Sequence, residues 1–382
     1  MRILSVFGTR PEAIKMAPVV RRLASDPRFA SQVAVTGQHR QMLDQVLEAF
    51  DIEPDHDLAI MRPGQDLFDV TSAVLLGLRD ILRRERPDYV LVHGDTTTCM
   101  AASLAAFYEQ IPVGHVEAGL RTGDLARPFP EELNRVLTGR IATVHFAPTE
   151  GAAANLRREG VSDRAILVTG NTVIDALLLV REAVKSERAR AFEGALGAQL
   201  VTELEAASGP IVLITGHRRE SFGDGFANMC RALRDLAQRH PDWRLVFPVH
   251  LNPNVRRPVF ELLSGLGNVH LIEPLEYRPF VWMMDRASAI VTDSGGIQEE
   301  GPSLGVPVLV TREVTERPEA VAAGVVALVG TDRQRIVEGV ERAILDPTTR
   351  ARMTTQKNPY GDGRAAERIV ERLAQTRALQ AA

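Results

Sequence analysis

Three carboxylates and one histidine stand where this chain could move protons. Asp95 closes the run Tyr89-Val90-Leu91-Val92-His93-Gly94-Asp95, and Glu117 closes Val113-Gly114-His115-Val116-Glu117. An acid directly after an apolar run is costly to bury unless it is paired or used. For Asp95, a cap on the helix that follows, beside Thr96, is an equally physical reading. Glu131 and Glu132 follow Pro128-Phe129-Pro130 and open a helix, where a carboxylate also complements the helix dipole. His217, in Gly216-His217-Arg218-Arg219-Glu220, is either a half-exposed turn histidine or an acid/base group.

A second set of residues suits an anion. Arg10 and Lys15 lie on the first turn, Gly8-Thr9-Arg10-Pro11-Glu12, and the helix after it. A guanidinium there could clamp a phosphate through two N–H groups, and the ammonium would add a point charge. Asp293-Ser294-Gly295-Gly296 follows another apolar run and opens a helix. The two glycines permit close backbone approach, so Ser294 and the free N–H groups either bind an anion or form an ordinary capped turn. Glu300, about one helical turn further on, either reaches the hydroxyls of a ribose or lies on a solvated face.

These residues need a scaffold that gathers strand ends. Six apolar, β-branched runs fill the first half: Ile3–Phe7, Val33–Thr36, Tyr89–Val92, Val113–Val116, Thr143–Phe146 and Ile166–Thr169. Six more fill the second: Ile211–Thr215, Leu245–Val249, Val269–Ile272, Ala289–Thr292, Val308–Thr311 and Val326–Val329. Amphipathic stretches separate them, which predicts parallel sheets covered on both faces. The fold class is therefore α/β, with two doubly wound, Rossmann-like domains. In such sheets ligands bind beyond the carboxyl ends of the strands, so facing domains would line one cleft with the residues above. A helix Val173–Arg190 is expected after Gly170-Asn171-Thr172, with the domain boundary near Gly170. The expected domains are 1–170 and 171–360, and the helix in 361–382 returns to the first.

Composition narrows the partners. A formal charge of −4 and a pI of about 6.2 argue against a broad nucleic-acid or membrane-surface binder. No apolar run approaches a membrane span, and Met1–Phe7 reads as a first strand rather than a secretion leader. Two cysteines, Cys99 and Cys230, form no CxxC pair, which fits a cytoplasmic protein. Only Lys15, Lys185 and Lys357 are lysines among 45 basic residues, and none follows a glycine; the GxxxxGK phosphate loop is absent. No HExxH spacing points to zinc, and no GxGxxG opens the first βα unit, so neither a metal nor NAD is expected.

Longer strings carry a resemblance. Val6-Phe7-Gly8-Thr9-Arg10-Pro11-Glu12-Ala13-Ile14-Lys15-Met16-Ala17-Pro18 resembles the opening of the non-hydrolysing UDP-N-acetylglucosamine 2-epimerases. Val92–Thr98, Gly114–Gly123, Gly170–Thr172, Gly216–Ser221, Asp293–Glu300, Thr315–Glu319 and Asn358–Gly363 continue the match over the whole chain. The resemblance implies a GT-B-type fold and reversible interconversion of UDP-GlcNAc and UDP-ManNAc without a redox cofactor. It implies anti elimination of UDP across C1–C2 to 2-acetamidoglucal, then re-addition to the opposite face. It makes Asp95, Glu117, Glu131 and His217 catalytic, and Arg10, Lys15, Phe280, Ser294, Gly295, Gly296, Glu300 and Arg317 substrate-binding. Gln38-His39-Arg40-Gln41 matches a segment that binds a second, activating UDP-GlcNAc in some members, through Gln38, His39 and Gln41 here. Several of those members carry Arg where this chain has Gly64. A homodimer in the cytoplasm, supplying ManNAc for surface polysaccharides, is the family's usual setting. A glycosyltransferase of the same architecture, a hydrolysing 2-epimerase and a catalytically silent sugar-nucleotide sensor are the competing readings.

Overall fold

Every described strand runs parallel to its neighbours. The computed structural model describes residues 1–37, 40–206, 208–218 and 222–381, with the backbone alone at 40–42 and 377–381. Two compact units divide it: Met1–Ala176 with Tyr360–Ala382, and Leu177–Pro359. The first division falls within the helix Thr172–Lys185.

The first unit holds β1 (Arg2–Phe7), β2 (Ala30–Val35), β3 (His56–Asp57), β4 (Tyr89–His93), β5 (Val113–Val116), β6 (Val144–Ala147) and β7 (Ile166–Val168). Their order is β3-β2-β1-β4-β5-β6-β7. Six of these are the expected apolar runs. The seventh, β3, is a correction: it has two polar residues and no apolar run, and it pairs only with Ala34 and Val35 at the sheet edge. Leu4, Val6, Val90 and Val92 meet Val74, Leu78 and Leu82 in a dry layer. Each such side chain contributes about 1.5–3 kcal/mol when fully buried.

The second unit repeats the plan with β8 (Ile211–Thr215), β9 (Arg244–Pro248), β10 (Val269–Ile272), β11 (Ala289–Thr292), β12 (Val308–Val310) and β13 (Val326–Leu328). Their order is β10-β9-β8-β11-β12-β13. In both sheets the chain starts in the middle and reverses direction once. The strands flanking that reversal, β1 with β4 and β8 with β11, lie side by side, the place in such sheets where ligands usually bind.

The stretch between the two strand sets is not wholly irregular. The helix expected over 173–190 is Thr172–Lys185, with Asn171 Oδ1 accepting from the Val173 N–H at 3.1 Å. A 3-10 turn, Ala189–Phe192, and short helices Glu193–Leu196 and Ala198–Ala206 follow. Their polar faces hide the buried Phe192, Leu196, Leu200 and Leu204.

The last helix, Ala365–Ala381, buries Ile369, Val370 and Leu373 and packs on the first helix, Arg10–Ser25. Its free N-terminal donors are met by Asp175, whose oxygens accept from Ala365 N–H at 3.1 Å and Ala366 N–H at 2.8 Å. Burial pushes the Asp175 carboxyl up to about 6, against the downward pull of those two N–H groups. The native state therefore holds this proton more tightly than the unfolded chain. The resulting stability is full below the ordinary carboxyl range and is lost as pH rises through about 6. The swing amounts to about 3 kcal/mol at most. Asp175→Asn stays neutral throughout, so thermal unfolding at pH 7.5 should find it at least as stable as the parent, with the difference shrinking by pH 5. A variant clearly weaker at pH 7.5 would mean that the carboxylate's two N–H bonds outweigh its burial cost.

Candidate active site

The carboxyl end of β1 turns tightly. A Cβ on Gly8 would stand 2.0 Å from Thr36 Oγ1 and 2.7 Å from Thr98 Oγ1, so only glycine fits. Thr9 caps the helix Arg10–Ser25, and Glu12 answers it by accepting from the N–H groups of Gly8 at 3.0 Å and Thr9 at 2.8 Å. The other Glu12 oxygen accepts from Thr96 Oγ1 at 2.5 Å, joining the turn after β1 to the loop after β4. Glu12 is thus spent on holding the two loops together. Arg10, half-buried on the same turn, makes no hydrogen bond or ion pair among the described residues. It is a guanidinium available to a ligand.

Lys15, just over one turn along that helix, reaches Glu117 beyond β5: Nζ lies 2.5 Å from Oε2. His93 Nε2, at the end of β4, lies 3.3 Å from the same oxygen. The Glu117 side chain is 8% exposed. Burial alone would push its carboxyl up, but Lys15 and His93 outweigh that and hold it well below the usual carboxylate range. Its backbone sits at φ 61°, in the left-handed region that residues other than glycine seldom adopt. Outliers of this kind concentrate at functional sites.

Asp95 is not a helix cap. Thr96 takes that place, accepting from the Cys99 N–H at 3.1 Å. The Asp95 carboxylate instead receives Arg135 Nη2 at 2.6 Å. Glu131 begins the helix Glu131–Ile141, as expected, and stays half-buried with no hydrogen bond or ion pair among the described residues. Its neighbour Glu132 is buried and accepts from the N–H groups of Thr122 and Gly123, both at 2.9 Å. Those two adjacent acids have separate tasks. Arg121, inside the motif Glu117–Gly123, is committed to Glu159 through two bonds of 2.7 and 2.9 Å.

In the second unit Asp293, at the end of β11, is buried. Its Oδ2 accepts from the N–H groups of His217 and Arg218, both at 2.8 Å, fixing the turn after β8. Its Oδ1 faces His217 Nδ1 at 3.6 Å. Burial pushes the His217 imidazole down, Asp293 pulls it back up, and His250 and Arg218 add to the lowering. The ring stacks on His250, centroid to centroid 5.5 Å. The sequence carries no signal for this role of Asp293, because an acid in a strand-to-helix turn does not reveal which way its oxygens face.

Ser294 occupies the N-cap position of the helix Gly295–Ser303 without a side-chain capping bond, so its hydroxyl is not consumed there. Gly295 lies under Arg218 and Glu316, which pair at 2.8 Å, while Arg312 holds the other Glu316 oxygen at 2.5 Å. A Cβ on Gly296 would come 3.8 Å from Glu300 Oε2. Glu300 is buried and accepts from Tyr277 Oη at 3.0 Å. Phe280, three residues after Tyr277 in the helix Tyr277–Arg286, is half-buried. Arg317 pairs with Glu299, and its N–H donates to Thr315 Oγ1 at 3.0 Å. Gln38, His39 and the Gln41 side chain lie outside the described residues.

The structure thus gathers Arg10, Lys15, Asp95, Glu117 and Glu131 at the strand ends of the first sheet. It gathers His217, Phe280, Ser294, Gly295, Gly296, Glu300 and Arg317 at those of the second. The candidate proton-transfer groups belong mainly to one unit and the candidate anion-binding groups mainly to the other.

A family model described as UDP-N-acetylglucosamine 2-epimerase matches residues 21–374. The chain belongs to that family. It is an isomerase of nucleotide sugars, with a GT-B-type α/β fold. It is 59% identical over 377 residues to the UDP-N-acetylglucosamine 2-epimerase of Escherichia coli K12, covering 99% of each chain. Among solved structures, the UDP-GlcNAc 2-epimerase of Neisseria meningitidis bound to UDP-GlcNAc is 50% identical, with a TM-score of 0.84 over 98% of this chain and 100% of that one. The Methanocaldococcus jannaschii 2-epimerase in complex with UDP-GlcNAc and UDP is 33% identical, with a TM-score of 0.78 over 98% and 100%. No helix among the described residues is long and apolar enough to cross a membrane.

Proposed function

We propose that this epimerase interconverts UDP-GlcNAc and UDP-ManNAc by elimination and re-addition of UDP. The observation that carries the reading is the first unit's set of acids: Glu117 paired with Lys15, Asp95 paired with Arg135, and Glu131 unpaired among the described residues. The C2 hydrogen of the sugar is not adjacent to a carbonyl, so its removal alone would leave an unstabilised carbanion. Breaking the C1–O bond first, or in concert, sends that electron pair to the UDP oxygen and leaves a C1–C2 double bond, 2-acetamidoglucal. A base takes the C2 proton. In the second half, UDP oxygen re-adds to C1 and an acid returns a proton to the opposite face of C2. Two faces require two acid/base positions, drawn from Asp95, Glu117 and Glu131.

The nucleotide half falls to the second unit. The Ser294 hydroxyl and the helix N–H groups of Gly295 and Gly296 serve a diphosphate, Arg10 adds a guanidinium, and His217 serves the leaving oxygen. Phe280 lies against uracil, Glu300 takes ribose hydroxyls, and Arg317, held by Glu299, completes the nucleotide contacts. No redox cofactor or metal enters the sequence of bonds. The enzyme works as a cytoplasmic homodimer and supplies ManNAc for surface polysaccharide synthesis. Gln38, His39 and Gln41 bind a second UDP-GlcNAc that activates the reverse reaction. A lag with UDP-ManNAc alone, abolished by trace UDP-GlcNAc, is the result expected for that last step.

Incubation with UDP-GlcNAc in D2O, without acceptor or NAD, tests the whole scheme. Deuterium at C2 in a mixture of both sugar nucleotides is expected. Bulk free ManNAc would instead indicate a hydrolase, and unchanged substrate a transferase or a sensor.

A further inference from the structure

The helix Glu131–Ile141 does more than present Glu131. Asn134 and Arg135, one turn later, both turn toward the end of β4: Asn134 Nδ2 donates to the Asp95 carbonyl at 2.9 Å, and Arg135 Nη2 to Asp95 Oδ2 at 2.6 Å. From below, His115 Nε2 meets the Gly94 carbonyl at 2.7 Å. His115 is fully buried, and burial drives its imidazole down to about 3, so it is neutral and donates one N–H there. The Asp95 turn is therefore held from three sides.

A buried arginine needs a counter-ion, and this one already has it. Arg135 Nη1 lies 3.3 Å from Glu132 Oε2, and Glu132 is buried while the Asp95 side chain is 29% exposed. The Glu132–Arg135 pair is neutral by itself, so the contact with Asp95 is not required to offset a buried charge. It adds a third member and leaves the trio with one net negative charge, carried by its most exposed group. The two terminal nitrogens of the guanidinium thus divide between Glu132, an ion pair at 3.3 Å, and Asp95, a hydrogen bond at 2.6 Å.

We propose that Arg135 is a positioning residue for the epimerisation: paired with Glu132, it aims the Asp95 carboxylate for proton transfer at C2. This rests on Asp95 being one of the acid/base groups. Arg135 touches no reacting atom itself and acts only through Asp95.

The test measures kcat and KM for UDP-GlcNAc in the parent, Arg135→Gln, Arg135→Lys, Asp95→Asn and the double variant D95N/R135Q. Misaiming a reactive group by about 1 Å can cost about 100-fold. R135Q should therefore lose about 100-fold in kcat with KM within about threefold, while R135K, which keeps the charge, recovers much of the loss. The double variant should be no slower than D95N, because the two residues act as one unit. Losses that multiply in the double variant, a loss confined to KM, or a parental rate in R135Q would each overturn the proposal. If R135Q does not fold, the same cycle is run with Arg135→Met, which also removes the charge, and multiplying or non-multiplying losses decide the matter in the same way. A parent that shows no C2 exchange would instead overturn the reaction scheme.

Discussion

Replacing Glu117 by Gln should lower solvent-deuterium incorporation at C2 by about 1,000-fold, within the range seen when a general acid or base is removed. The substitution keeps shape and most of the volume, so the change isolates proton transfer. It also leaves the Lys15 ammonium facing a neutral amide at a site where the pair is largely buried. A stability loss of about 1–3 kcal/mol is expected with it. UDP binding should persist, since Ser294, Gly295 and Glu300 belong to the other unit. Nuclear magnetic resonance of the exchanged product and calorimetric titration with UDP read these two effects separately. Exchange within tenfold of the parent would remove Glu117 from the chemistry.

Gly8→Ala should damage the fold with a single methyl group. The added carbon would stand 2.0 Å from Thr36 Oγ1, well inside contact distance. Thr36 and Thr98 are both fully buried, and their hydroxyls lie 3.1 Å apart in a shared bond. Neither can rotate away without breaking that bond, and the backbone turn must shift instead. Overpacking of this sort costs about 1–3 kcal/mol, and here the upper end is expected. The turn also carries Thr9, Arg10 and Glu12, so activity should fall further than stability alone would dictate. Thermal unfolding of G8A and G8A/T36A checks the cause: removing the Thr36 hydroxyl should return part of the loss. No recovery would point to the backbone rather than to that oxygen.

The scaffold was legible because parallel strands buried on both faces are written as short apolar runs. Twelve such runs are strands, and the loops at their carboxyl ends hold the chosen residues. The edge strand His56–Asp57 was not legible, because it buries one residue only partly and relies on Ala34 and Val35 for its bonds. What the motifs could not display was the division of labour inside them. Glu12 and Glu117 are both acids in matched strings, yet one is consumed by three neighbouring groups of the fold and the other by a lysine. Asp293 lies in the same string as Ser294, but its oxygens face back toward β8. Arg135 had no motif at all. Its only sequence signal is the four-residue spacing from Glu131, which places both on neighbouring turns of one helix face.

The left-handed backbone at Glu117 has a further consequence. A non-glycine residue there carries about 1–2 kcal/mol of conformational cost. On the proposed mechanism the fold bears that cost because the position offers a carboxylate, and glycine, which would relieve it, offers none. Glycine would also strand the largely buried Lys15 ammonium, so relief of the backbone is offset by loss of the ion pair. Thermostable variants of this enzyme are best sought elsewhere in the chain, with position 117 held fixed by an activity screen.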